Sequence, residues 1–288
     1  MHNSRDPIQP VTNLHSPETS WDAGLATLPS RNHRAFRHQI NVPSLSSLSP
    51  NSNVAIIGAS GGIGAEFLRQ LCADARVQHI HAWSRSEIDV SDPKVRFGAV
   101  DLFDETSIRE AAVASSIVAP LDAVFVTTGV LHDASIQPEK SIADICPEAM
   151  LDVLGVNTIG PALVAKHFLP LMRRDAKTVF AALSARVGSI SDNRLGGWTS
   201  YRMSKAALNM LIKTISIEHA RRFPQAVVVG LHPGTVDTDL SKPFQRRVPA
   251  DQLFTTTHSV NQLLQVIDRL TPADTGRCFA WDGQVIEP

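Results

Sequence analysis

The run Val54-Ala55-Ile56-Ile57-Gly58-Ala59-Ser60-Gly61-Gly62-Ile63-Gly64 constrains this chain more than any other. Its first four residues are apolar and three are β-branched, which predicts a strand buried on both faces. Glycines then stop the strand, and Phe67, Leu68 and Leu71 resume at helical spacing. A strand that turns on glycines into a helix can bring its backbone close to a phosphate, which the helix's free amides then bind. The spacing Gly58-x-x-x-Gly62-x-Gly64 is not the G-x-G-x-x-G of ordinary dinucleotide folds. A tight turn in another kind of α/β protein would read the same way, so the rest of the chain must decide.

Beyond residue 52 the pattern alternates. Strand-like runs stand at 53–57, 78–83, 95–100, 121–127, 177–183, 226–231 and 277–281, and helix-like runs near 62–73, 105–116, 148–172, 200–222 and 257–270. Such alternation predicts one doubly wound α/β domain over 51–288, Rossmann-type, with about seven parallel strands and helices on both faces. Ligands in that architecture bind beyond the carboxyl ends of the strands. The glycine loop, Thr127-Thr128-Gly129, Ser184 and Pro233-Gly234 all follow strands and are expected at one rim.

The only tyrosine, Tyr201, stands four residues before Lys205. On a helix those positions share a face. An ammonium beside a phenol favours the phenolate, so Tyr201 is expected to titrate below its usual value near 10 and to exchange protons near neutrality.

Taken with the glycine loop, these residues resemble the short-chain dehydrogenase/reductase family over roughly 52–288. Asp101-Leu102 after a strand, Asn157 within Gly155-Val156-Asn157-Thr158, and His232-Pro233-Gly234-Thr235-Val236-Asp237-Thr238 fall in family order. The stretches Arg186 to Ile190, Gly196-Gly197-Trp198 and Phe279 to Gly283 are similar to the sniffer and C-factor subgroup. The resemblance implies a catalytic set of Ser184, Tyr201, Lys205 and Asn157, with Asn157 holding a proton-relay water. It implies cofactor contacts at Gly58, Ser60, Gly61, Gly62, Ile63, Gly64, Ser84, Arg85, Asp101, Leu102, Thr128, Gly129, Tyr201, Lys205, Pro233, Gly234, Val236 and Thr238. The implied activity is carbonyl–alcohol interconversion on a small molecule. The alternative is a catalytically silent, cofactor-binding regulator of C-factor type.

Two departures stand out. Aligned on Gly188, the family's second serine is Ala185, which leaves Ser184 one residue early and Ser189 as the other candidate. One step along a strand end turns a side chain to the opposite face. Thr127-Thr128-Gly129 replaces the family's Asn-Asn-Ala, so the asparagine that braces the sheet is missing. Arg85, 21 residues beyond Gly64, ends the second strand where an acid would bind a ribose 2′-hydroxyl. A guanidinium there suits a 2′-phosphate and favours NADP, while Glu87 is the nearest acid that could serve NAD.

A net charge of −1 argues against nucleic acid or an anionic membrane as a partner attracted by bulk charge. The longest apolar stretch, Pro161 to Met172, is interrupted by Lys166 and His167 and argues against a membrane span. Three cysteines without metal spacing point to a reducing, cytoplasmic setting. His79 and His81 share one side of a strand but lack a third ligand, so no metal is expected. Residues 1–50, rich in Ser, Pro and Asn, read as a disordered extension dispensable for folding; a transit peptide is the other reading, against which Asp6, Glu18 and Asp22 count. Monomer, homodimer and homotetramer all stay open.

Overall fold

The computed structural model describes residues 44–288. Its strands are β1 (Ser52–Ile57), β2 (Val77–Ser84), β3 (Val95–Ala99), β4 (Ala123–Val126), β5 (Thr178–Leu183), β6 (Ala226–His232), β7 (Thr235–Val236), β8 (Leu253–Phe254), β9 (Cys278–Ala280) and β10 (Val285–Ile286). Its helices are α1 (Gly62–Ala73), α2 (Glu105–Ser116), α3 (Pro147–Leu154), α4 (Gly160–Phe168), α5 (Thr199–Ala220) and α6 (Thr256–Arg269). Eight strands form one sheet in the order β10-β9-β6-β5-β4-β1-β2-β3. Seven are parallel, and β10 adds an antiparallel edge.

Alternation along β1 explains why the strand had to be apolar throughout. Val54 and Ile56 point into one core layer with Phe67 and Leu71 of α1 and Leu263 and Ile267 of α6. Ala55 and Ile57 point into the opposite layer with Ile108 of α2, Phe168 of α4 and Leu208 of α5. Because β1 sits between β2 and β4, the crossovers leave it in opposite directions, and a crevice opens beyond the carboxyl ends of β1 and β4.

Helix α3 runs into α4 through a wider π turn at Gly155–Ile159. The helical run Pro147–Leu171 is therefore 25 residues long and, by length and composition alone, apolar enough to cross a bilayer. This corrects the expectation from Pro161 to Met172, because the helix also recruits the apolar residues upstream. Val153, Asn157, Val164 and Phe168 on this run are buried within the domain.

The domain also begins earlier than residue 51. Leu45 and Leu48 are 1% and 2% exposed and join the layer with α1 and α6. Asp74, after α1, accepts from the Ser44 hydroxyl and the Leu45 amide, while Asp268 in α6 accepts from Ser46 and Ser47. Lys177 ties Ser47 to the end of α6. Two leucines three apart among serines carry too short a period to be read from sequence. Residues 1–43 of the expected extension lie outside the described residues.

Residues 44–50 are thus expected to stabilise the fold. Leu45→Ala or Leu48→Ala should each lose about 2–5 kcal/mol of unfolding free energy in urea titrations. A chain starting at Asn51 should unfold at markedly lower urea than one starting at Ser44; equal midpoints would contradict the packing described.

Candidate active site

The crevice is built on contacts that admit no Cβ. Gly58 has φ +95°, and a Cβ there would stand 2.8 Å from Thr128 Cγ2. At Gly64 a Cβ would come within 2.1 Å of the Gly58 carbonyl oxygen. α1 can therefore start directly against the end of β1, and it starts without a side-chain cap. The Thr127 hydroxyl donates to the Ile57 carbonyl at 2.9 Å, so it braces β4 to β1 where an asparagine was missed.

A cavity of about 560 Å³ follows this rim. It gathers Gly58, Ser60, Gly61, Ser84, Arg85, Asp101, Leu102, Thr128 and Gly129 from the ends of four strands. Ser84 is buried, and its hydroxyl closes a turn on the Ser86 carbonyl, which leaves the exposed Arg85 at the mouth. Thr128 Oγ1 is buried without a hydrogen-bond partner. An uncapped helix start, a partnerless hydroxyl and a guanidinium at the far end fit a phosphorylated dinucleotide. Of the other expected contacts, Thr238 stands beside Gly62, 2.9 Å from where its Cβ would be, while Ile63 packs against the core and Gly64 is sealed in the turn. Pro233 and Gly234 follow β6; the Pro233 carbonyl accepts from Ser259, and Gly234 lies under Phe254 and Trp281. Val236 is buried in β7 and accepts from Ser241.

Tyr201 and Lys205 share one face of α5, with Lys205 Nζ 5.7 Å from the phenol ring centre. A Cβ on Gly129 would stand 3.7 Å from Lys205 Nζ and 3.6 Å from Asn157 Oδ1, so both groups lie behind the cavity wall at Gly129, while Tyr201 borders a small separate pocket that shares Ile136 with the cavity. The expected lowering of the Tyr201 pKa is not found. Burial pushes the phenol up to about 12 and the Lys205 ammonium down to about 8. Lys205 donates to the Leu183 carbonyl at 2.8 Å and stands off the ring, so loss of hydration outweighs their mutual attraction.

Asn157 is fully buried on the π turn, a feature frequent at functional sites. Its side chain accepts from the Val130 amide and donates to the Val130 carbonyl and Ser204 hydroxyl. The side-chain amide thus braces the loop after Gly129 against α5. Ser184 is 3% exposed and donates its hydroxyl at 2.6 Å to Asn209, one turn beyond Lys205 and away from Tyr201. Ser189, also buried, bonds Ser191 and accepts from the Asp192 amide. Neither residue lines the cavity. His81 is buried, with its pKa pushed down to about 4, and among the described residues no group of three or more His, Cys, Asp or Glu side chains is placed to hold a metal.

A run of aromatic side chains leads away from Tyr201, and of these His132 carried no sequence signal. Trp198 meets Tyr201 edge-on at 6.3 Å and Phe244 at 5.0 Å, and His132 packs on Phe244 at 5.5 Å. His132 Nε2 lies 3.2 Å from the Asp239 and Leu240 carbonyls, joining the loop after β4 to the segment after β7.

The two burial shifts set a pH dependence. From about pH 8 to the unfolded lysine value of 10.5, the unfolded chain holds a proton that folded Lys205 has released, so stability rises with pH. Above pH 10 the unfolded tyrosine ionises before the folded one, and stability falls. In the cofactor-free protein, the gain from pH 8 to pH 10 should be smaller in Lys205→Met by on the order of 2 kcal/mol. Urea unfolding at the two pH values measures it, and parallel profiles would contradict the assigned burial.

The family model for short chain dehydrogenase matches residues 52–248. The chain is 31% identical over 239 residues to 1-hydroxy-2-glutathionyl-2-methyl-3-butene dehydrogenase of Rhodococcus sp., covering 82% of this chain and 99% of that one. It is 36% identical over 143 residues to the C-signal protein of Myxococcus xanthus, covering 50% of this chain and 81% of that one. The structure is similar to an NADPH-bound carbonyl reductase from chicken fatty liver, with a TM-score of 0.71 at 26% identity over 84% of this chain and all of that one. The carbonyl reductase Sniffer of D. melanogaster shares the fold, with a TM-score of 0.72 at 22% identity over 83% of this chain and all of that one. With the glycine turn, the parallel sheet and the Tyr201–Lys205 pair, these matches make the chain a member of the short-chain dehydrogenase family.

Proposed function

We propose that this protein is an NADP-dependent oxidoreductase that interconverts a carbonyl and an alcohol on a small molecule. The observation that carries the reading is the Tyr201–Lys205 pair on α5, with Lys205 Nζ reaching toward Gly129 of the cavity rim. The NADPH-bound carbonyl reductase and the dehydrogenase among its relatives support it. The residues from Gly58 to Gly64 would cradle the pyrophosphate, Arg85 the 2′-phosphate, Asp101 and Leu102 the adenine, and Thr128 and Gly129 the inner ribose. The segment Pro233 to Thr238 would close over the nicotinamide. When bound, NADPH supplies the hydride that the substrate carbon accepts.

The chain's own part is to position the carbonyl and provide the proton. A phenol kept protonated by burial is suited to give that proton to the carbonyl oxygen, completing the alcohol. Lys205, held by the Leu183 carbonyl, would bind the ribose hydroxyls and stabilise the tyrosinate left behind. Trp198, Phe244 and His132 exclude water and set an aromatic wall for the substrate. Ser184 supports α5 through Asn209 in this arrangement, leaving Tyr201 as the donor to the substrate oxygen.

One observation favours a second reading, a cofactor-binding regulator like the C-signal relative: both candidate catalytic serines, Ser184 and Ser189, spend their hydroxyls on other protein groups. Unpaired Cys72, Cys146 and Cys278 fit a cytoplasmic setting. Exposed Leu151, Ile159, Met203, Met210 and Ile217 on the α3–α4 run and α5 would fit pairing of two copies.

A panel of aldehydes, ketones and quinones with NADPH tests the reading. Tyr201→Phe should keep NADPH binding and lose at least about two decades of kcat. Arg85→Ala should weaken NADPH by about one to two decades and leave NADH affinity nearly unchanged. Equal parent affinities for the two cofactors would overturn the NADP assignment. Near-parent turnover in Tyr201→Phe would overturn the mechanism.

A further inference from the structure

Glu139 lies between β4 and α3, far in sequence from α5, yet it holds the start of that helix. Glu139 is 4% exposed and lines a small pocket with Leu131, Ile136, Val153, Ser200 and Tyr201. Both carboxylate oxygens accept from the Ser200 amide, at 3.3 and 3.2 Å, and one also accepts from the Ser200 hydroxyl. The Glu139 main-chain carbonyl accepts from the Trp198 amide at 2.6 Å. Among the described residues it forms no ion pair.

A carboxylate removed from water without a cation is costly unless fixed dipoles replace its hydration. Here the amide-bearing end of a 22-residue helix does so, and that helix has no side-chain cap and no acid in its first turn. The chain enters α5 through three consecutive left-handed residues, Gly196 at φ +64°, Gly197 at +65° and Trp198 at +53°. For tryptophan that conformation is strained and persists only where neighbours hold it. Glu139 holds it twice, by backbone at Trp198 and by side chain at Ser200. The next turn is anchored separately, through Ser204 to Asn157.

We propose that Glu139 is a positioning residue for Tyr201. It fixes the strained entry and first turn of α5, so that the phenol and the Trp198 ring keep their angle to the cavity. The proposal rests on the reductase reading given above for Tyr201, since it assigns Glu139 a part in the proton transfer's geometry.

The test uses the full chain, with the carbonyl substrate found by the panel, and compares the parent with Glu139→Ala, Glu139→Gln and Ser200→Ala. Misplacing a reacting group by even an ångström can cost two decades, so kcat in Glu139→Ala should fall about 10- to 100-fold. NADPH affinity should stay within about threefold, because Lys205, one turn further along α5, is anchored separately to the Leu183 carbonyl and the other residues that hold the cofactor lie on other elements. Glu139→Gln, whose amide oxygen still accepts from the Ser200 amide, should recover to within about threefold of the parent. Amide exchange over residues 199–203 should speed at least about tenfold in Glu139→Ala and less in Glu139→Gln.

Folded Glu139→Ala with parent kcat and parent exchange would overturn the proposal, as would equal loss of kcat and NADPH affinity. Should Glu139→Ala fail to fold, Ser200→Ala decides: a several-fold loss of kcat at unchanged NADPH affinity is expected, and an unchanged kcat overturns it. A parent without any NADPH-dependent turnover would refute the reductase reading instead. Exchange over 199–203 would then decide the hold of Glu139 by itself.

Discussion

The close approach of Gly64 to the Gly58 carbonyl is the contact on which the rest of the site depends. With a Cβ on Gly64 only 2.1 Å from that oxygen, any side chain would push α1 off the end of β1. Removing it would misplace the helix's uncapped amides and open the cavity between β1 and β4. Thr127 closes the same corner by donating to the Ile57 carbonyl, and its hydroxyl would itself stand 2.6 Å from a Gly64 Cβ. The glycine end of the cavity is thus backbone geometry fixed by missing side chains. Tyr201 and Lys205 come from a different element, α5.

Between the two ends run a few buried polar links. Asn157 joins the loop after Gly129 to Ser204 of α5, and Lys205 joins α5 to the Leu183 carbonyl at the end of β5. Glu139 joins the same loop region to the first turn of α5. Each link crosses elements that are distant in sequence, and each uses a polar group that burial makes costly to leave unpaired. The π turn at Gly155–Ile159 belongs to this design, since it carries Asn157 to the corner where the two ends meet.

How legible this was in the sequence follows from the range of each interaction. Apolar runs such as Val54 to Ile57 announce a strand buried on both faces, and the seven parallel strands and five helical regions follow from such local periods. Gly58 and Gly64 are readable because no other residue tolerates their positions. Leu45 and Leu48 were missed because two leucines among serines have no period, although the core finishes on them. β10 and the short pair β7–β8 were missed because two residues make no pattern. In the site, the residue types were legible and their orientations were not. Ser184 donates to Asn209, a partner 25 residues away that the motif around Gly188 does not announce. The Tyr201 phenol is raised rather than lowered because burial, invisible in a four-residue spacing, outweighs the nearby ammonium. Glu139 carried no signal, because its partner is 61 residues away.

The central claim is that Tyr201, held protonated beside Lys205, gives the proton during carbonyl reduction. The pH dependence of kcat for NADPH-driven reduction tests this most directly, measured for the parent and Tyr201→Phe. The account requires a plateau through neutral pH and a fall on the alkaline side as the Tyr201–Lys205 pair loses a proton, with that limb absent from the residual rate of Tyr201→Phe. A parent rate that climbs with pH, or an alkaline limb that survives in Tyr201→Phe, would contradict it.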